Sequence, residues 1–221
     1  MAGETIRTEA ICLDIRPWSR TSHVVSWLTP LGKVTTVVKG AMRPKSFFLG
    51  QYDLNYRCEI LYYARERGEV HALRECVPVE TNERLRESYR ALALAGHFRK
   101  LVADFAPQGP DCQEWYQLLL ETLETGGCSV TDMVKFELKV LNLLGLNPEL
   151  EAESGVFVLR GERQMPISAE VAEFLRRPEH AENSQIPLDA ARVIGVFYQF
   201  HLDCAFDVRR TVLEMISNQG R

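Results

Sequence analysis

Apolar and polar residues alternate with a period of two through the first eighty positions of this chain, and with a helical period after them. In residues 5–15, Ile11, Leu13 and Ile15 fall on one side and Ala10, Cys12, Asp14 and Arg16 on the other. That is the pattern of a half-buried strand, which Pro17 and Ser19 end. His23 to Leu28 predicts a second strand, closed by a turn at Pro30–Gly32. Lys33 to Lys39 predicts a third, with Lys33, Thr35, Val37 and Lys39 on one face. After a loop from Gly40 to Leu49, residues 52–63 predict a longer strand with Leu54, Tyr56, Cys58, Ile60 and Tyr62 inward. Glu66–Gly68 turns the chain into a fifth strand, Val70 to Val79. Five strands in so short a stretch, with no helical pattern between them, predict a small barrel or sandwich.

Past Val79, Asn82 is placed to cap a helix reaching about Phe105, with Leu94, Phe98, Leu101, Val102 and Phe105 on its apolar stripe. Asp111, with Glu114 three residues on, predicts a helix that ends at Gly126–Gly127. Ser129 predicts the start of another, apolar at Met133, Phe136, Val140, Leu141 and Leu144 and polar at Lys135, Lys139 and Asn142. A hairpin insertion near 155–167 (GVFVLRGERQMPI) precedes a helix from Ser168, and helical sequence runs from Leu188 to Ser217. The predicted class is α+β: a five-stranded barrel in residues 1–80, then an α-helical bundle with a small hairpin insertion in 81–221.

Charge sharpens this picture. The 221 residues carry a net charge of −4, but residues 1–80 hold 11 Lys and Arg against 9 Asp and Glu, and the remainder 15 against 21. A basic module joined to an acidic one suits a polyanionic partner for the first part only. Between Asp14 and Asp53 there is no acidic residue, yet Arg16, Arg20, Lys33, Lys39, Arg43 and Lys45 are present, interleaved with Trp18, Trp27, Phe47 and Phe48. Cations meet phosphates and flat rings stack on unpaired bases, so this composition suits single-stranded nucleic acid. The alternative is a solvated strand face with tryptophans in the core.

Enzymatic motifs are missing from the sequence. Gly32–Lys33 lacks the upstream glycine and following Ser or Thr of a phosphate loop, and neither GxSxG nor HExxH occurs. His201 and Asp203 have no nucleophile at motif spacing, and His23, His71 and His97 are scattered singly. The six cysteines form no CxxC pair, and no apolar run approaches membrane-spanning length. With Glu4, Arg7, Glu9 and Asp14 at the start instead of a secretory signal, the expected location is the cytoplasm, with reduced thiols.

The stretch TEAICLDIRPWSRTSHVVSWLTPLGKVTTVVKGAMRPKS, followed by LYYARERGEVHALRECVPVE, resembles the amino-terminal domain of the RecO family of bacterial recombination mediators and DNA-repair proteins. The segment KFELKVLNLLGLNPEL resembles the family's second domain more loosely. The resemblance implies an OB-fold followed by an α-helical domain, and a non-enzymatic, nucleoid-associated role. That role is binding single- and double-stranded DNA, annealing complementary strands, and working with RecR to load the recombinase RecA onto DNA coated by single-stranded DNA-binding protein. Many members carry a zinc-type cysteine cluster after the LLGLxPxL segment. Here NPELEAESGVFVLRGERQMP has no cysteine, so no zinc is expected, and Val156, Phe157, Val158 and Ile167 are expected to hold the hairpin.

Lys39, Arg43 and Lys45 follow the third strand into an exposed loop and are the leading DNA-binding candidates, with Arg16, Arg20 and Lys33 next as phosphate contacts. Trp18 is a candidate for base stacking, and Trp27 belongs to the core. Arg74 extends the basic face or pairs with Glu75 or Glu59. Lys135 and Lys139 form a basic stripe that, beside an apolar groove, suits the acidic tail of single-stranded DNA-binding protein; the alternative is a solvated helix face. The rival function is a protein-interaction adaptor whose barrel binds another protein with only incidental DNA affinity, and a hydrolase is a remoter one.

Overall fold

The computed structural model describes residues 4–65, 69–146, 150–151, 156–158, 164–178, 185–202 and 207–217. Five strands, β1 (Thr5–Ser19), β2 (Ser22–Thr29), β3 (Gly32–Val38), β4 (Arg57–Tyr63) and β5 (Val70–Glu80), close a barrel in the order β1-β2-β3-β5-β4. Every neighbouring pair is antiparallel except β3 and β5. This is the OB-fold arrangement, and closure leaves no free sheet edge. The predicted turn at Glu66–Gly68 lies outside the described residues.

The barrel interior takes Ala10, Cys12, Val25, Trp27, Val38, Cys58, Ile60, Tyr62, Leu73 and Cys76. Trp27 is fully buried, and its indole N–H donates to Thr36 Oγ1 at 2.9 Å, so the one polar atom of the largest core side chain is satisfied. Two details of the strands depart from strict alternation. A bulge between Cys12 and Asp14 re-phases β1, so that Ile15 packs toward the interior with Cys12, and the strand continues through Pro17 to Ser19. β4 starts only at Arg57, because Asn55 N–H and Cys12 N–H bond to Cys12 O and Tyr56 O and turn residues 52–56 into loop. Leu54, expected inward, is exposed as a result.

Asn82 does not cap a helix. It adopts a positive φ of 52°, and its amide donates to Asn55 O at 2.8 Å, so a 3-10 turn (Glu83–Glu87) precedes α1 (Tyr89–Phe105). Nor does Asp111 cap α2 (Gln113–Thr125), whose N-cap is Cys112, although Gly126 ends it in the left-handed conformation. Ser129 does cap α3 (Val130–Leu143), in a capping box with Asp132, and Ser168 caps α4 (Ala169–Arg176). The last helical stretch is two helices, α5 (Gln185–Leu202) and α6 (Asp207–Ser217). The insertion is a three-stranded antiparallel sheet, β6 (Leu150–Glu151), β7 (Val156–Val158) and β8 (Gln164–Pro166), in place of a simple hairpin. The side chains of Val156, Phe157 and Val158 lie outside the described residues.

Contacts divide the chain into two compact units, Met1–Glu87 with Phe98–Gly126, and Ser88–His97 with Gly127–Arg221. In the first unit, the second half of α1 and α2 cover the outer face of β1–β2–β3. Ile11, Leu13 and Leu28 are therefore buried although they point away from the barrel interior, and β1 is buried on both faces at its centre. In the second unit, α3, α4, α5, α6 and the first half of α1 surround Leu94, Met133, Phe136, Leu141, Ile194 and Tyr198.

Candidate nucleic-acid interface

The basic loop leaves β3 at Lys39 and returns at β4. Its backbone is wound into successive turns: Arg43 N–H to Gly40 O at 3.1 Å, Ser46 N–H to Arg43 O at 2.9 Å, and Gln51 N–H to Phe48 O at 3.2 Å. Gly40 starts the first turn with φ 68°, a conformation that favours glycine. The loop is also pinned to the barrel. Met42 N–H donates to Thr21 O at 3.1 Å and Gly40 N–H to Ser22 Oγ at 3.2 Å, which ties it to the β1–β2 turn. Tyr52 and His23 share a 2.8 Å hydrogen bond, and the thiols of Cys58 and Cys76 both approach Gln51 O. Phe48 packs on the core cluster, whereas Phe47 beside it is 95% exposed.

This geometry presents Arg20, Lys39, Arg43 and Lys45 as exposed side chains at one end of the barrel, and none of the four makes an ion pair among the described residues. Trp18 projects near the tip of the β1–β2 hairpin and is 68% exposed. Trp18, Met42, Phe47 and Leu49 give this end apolar surface among its cations. A loop ordered before it meets its ligand loses little conformational freedom on binding.

The remaining sequence candidates are placed differently. Arg16 is exposed but bonded to Asp14 at 2.5 Å. Lys33 shares a face with Thr35 as expected, but that face lies under α1, and its ammonium donates to Ala103 O at 2.9 Å. Burial there holds the Lys33 amine below its usual range. Arg74 lies over the Tyr63 ring at 5.5 Å and does not pair with Glu75 or Glu59, because Arg7 takes both carboxylates. In the second unit Lys135 and Lys139 are exposed on α3, one turn apart, with the helix's apolar side buried.

Two groups of residues had escaped sequence reasoning. Arg99, on the otherwise apolar side of α1, donates to Leu13 O. In the second unit Glu137 is fully buried and receives Arg209 Nε at 2.8 Å and Arg209 Nη2 at 3.0 Å, with His97 Nε2 2.8 Å from its Oε1. The signal for Glu137 was its position, on the buried stripe of α3 between Met133 and Val140.

A hydrogen bond with Cys58 and burial push the Cys76 thiol up, and burial does the same to Cys12 and Cys112, which disfavours their thiolates. His71 stacks on Tyr62 and His201 on Phe197. Among the described residues no three His, Cys, Asp or Glu side chains stand close enough to hold a metal ion, and no helix is long and apolar enough to cross a membrane.

Comparison with known proteins places this architecture. A DNA repair protein RecO from Geobacter sulfurreducens is 30% identical over 151 residues, covering 66% of this chain and 61% of that protein. The DNA repair protein RecO of Moorella thermoacetica is 30% identical over 149 residues, covering 66% of this chain and 55% of its own. The chain thus matches little more than half the length of these relatives. Among solved structures, asparaginyl-tRNA synthetase of Entamoeba histolytica aligns at 10% identity and a TM-score of 0.31, over 77% of this chain and 41% of that one, a likeness too distant to bear on fold or function. The family model described as recombination protein O N-terminal matches residues 1–82, and the one described as recombination protein O C-terminal matches residues 86–209. With its OB barrel and helical domain both matched, this chain belongs to the recombination protein O (RecO) family.

Proposed function

We propose that this protein is a DNA-binding mediator of recombinational repair, which holds single and double strands by their phosphates and anneals complementary strands. The observation that carries the reading is the pinned loop end of the barrel, where Arg20, Lys39, Arg43 and Lys45 stand exposed without carboxylate partners among the described residues, beside exposed Trp18 and Phe47. The cations neutralise phosphates without reading sequence, and the rings offer stacking surfaces to unpaired bases. Neutralised strands repel each other less, so complementary bases meet more often. Family membership supports the wider role, in which RecR, the tail of single-stranded DNA-binding protein and, through them, RecA are partners; Lys135 and Lys139 are the proposed contacts for that acidic tail. None of these steps makes or breaks a covalent bond or calls for a metal.

The test is annealing of two complementary labelled oligonucleotides followed by fluorescence quenching. Wild-type protein is expected to accelerate it, and the Lys39→Glu/Arg43→Glu/Lys45→Glu variant to leave the spontaneous rate unchanged. Equal acceleration by a folded variant would remove the loop from the account. No DNA binding by either would favour the adaptor reading, in which the apolar side chains of the same loop meet a protein.

A further inference from the structure

A cleft of about 450 Å³ opens within the barrel unit, between the outer face of β1–β2–β3 and the second half of α1. Its floor is a row of short polar side chains, Asp14, Ser26 and Thr35, which are register partners across three strands. Its lining also holds four cations, Arg16, Lys33, Arg99 and Lys100, and a second carboxylate, Asp104. Each carboxylate has a cation of its own: Arg16 bonds Asp14 at 2.5 Å and Lys100 bonds Asp104 at 2.6 Å.

Lys33 and Arg99 are left over. Among the described residues Lys33 bonds the carbonyl of Ala103 and Arg99 that of Leu13, with no other side-chain hydrogen bond, while the Arg99 Nε is buried without a hydrogen-bond partner. Cys112 and then Asp104 act on the charge of Lys33, and Cys12, Asp14 and Asp53 on that of Arg99, but among the described residues none of these side chains bonds either cation. Burial lowers the pKa of both. Desolvated charges in proteins are almost always paired. Arg99, with its buried Nε, and the half-buried Lys33 are each held on a backbone carbonyl and line one cleft, which gives it the chemistry to take an anion of two charges.

We propose that this cleft binds a phosphate monoester group, with Lys33 and Arg99 meeting its charge and the hydroxyls of Ser26 and Thr35 donating to its oxygens. A monoester carries nearly two negative charges at neutral pH, whereas an internal phosphodiester carries one. The group is supplied either by the phosphorylated end of a DNA strand or by a free nucleotide. The strand-end source rests on the DNA-binding reading; the cleft's affinity for phosphate does not.

Calorimetry on the full chain at constant ionic strength distinguishes these. Its ligands are a 5′-phosphorylated oligonucleotide, its 5′-hydroxyl counterpart, a nucleoside monophosphate and inorganic phosphate. The phosphorylated strand is expected to bind roughly tenfold tighter than the hydroxyl one. Ser26→Asp adds a carboxylate to the floor at a residue that makes no side-chain hydrogen bond among the described residues, and it should erase that ratio. If Ser26→Asp fails to fold, Lys33→Gln carries the same expectation. Tight nucleoside monophosphate binding that Ser26→Asp abolishes would support the cleft and identify a free nucleotide as its ligand. Equal affinity for both strands, with no binding of the monophosphate or of phosphate, overturns the cleft but leaves strand binding standing. Phosphate binding that Ser26→Asp abolishes, without binding of either strand, supports the cleft and overturns the DNA reading.

Discussion

Glu137 sits fully buried in the helical unit, facing Arg209 from α6 and His97 from α1, while Tyr198 of α5 donates to its backbone carbonyl at 3.1 Å. Burial alone would raise its pKa, but the Arg209 charge and the His97 hydrogen bond outweigh that and hold it below the ordinary value of 4.5. A carboxyl depressed in the folded state contributes stability that is present above its unfolded pKa and is lost as the pH falls through the folded one. Acid titration of unfolding should therefore show wild type losing stability below about pH 4.5, with that component missing in Glu137→Gln. At neutral pH the same substitution is expected to cost about 3–5 kcal/mol, because it leaves the Arg209 charge buried without its partner. Superimposable pH profiles would contradict this. The buried position of Glu137 was legible in the helical period, but its partner lies 72 residues on, and no local pattern joins the two. Gly32 gives a second case. Its place in a turn was legible, but its φ of 140° and the approach of Gly109 O to 2.9 Å of where a Cβ would stand were not. Gly32→Ala should lower stability by about 1–3 kcal/mol in a thermal melt, and an unchanged melt would show that the backbone can shift.

At the scale of elements, those set by local chemistry were readable and those set by distant hydrogen bonds were not. Ser129 and Ser168 start helices because their hydroxyls meet backbone N–H groups three residues on, whereas Asn82 fails because its amide serves Asn55 O instead. The alternation of β3 correctly put Lys33 and Thr35 on one face, but not the helix above that face, which comes from residues 98–105. The basic loop was legible as charge and exposure, and its pinning by Thr21 O, Ser22 and Tyr52 was not. Because Lys39, Arg43 and Lys45 are exposed and bear none of that pinning, charge reversal at each should change unfolding stability by no more than about 0.5 kcal/mol. Thermal denaturation of the single variants checks this; a large loss would show the side chains to be part of the loop's scaffold.

On the scale of the whole molecule, the uneven charge of the sequence has a physical location. Of the six cations between Asp14 and Asp53, Arg16 is held by Asp14 and Lys33 is turned under α1, which leaves Arg20, Lys39, Arg43 and Lys45 exposed toward one end of the barrel. On the proposed DNA-binding reading the phosphate count is thus about four, fewer than the six cations of the sequence stretch. The most direct measurement is the affinity of the full chain for a labelled single-stranded oligonucleotide across a salt series, compared with the Lys39→Glu/Arg43→Glu/Lys45→Glu variant. Four phosphate contacts predict that log K falls against log salt with a slope of about −3 for the wild type, and that the slope flattens toward zero in the folded variant. A slope that is flat in the wild type, or equally steep in both proteins, would contradict the loop as the site where DNA is held.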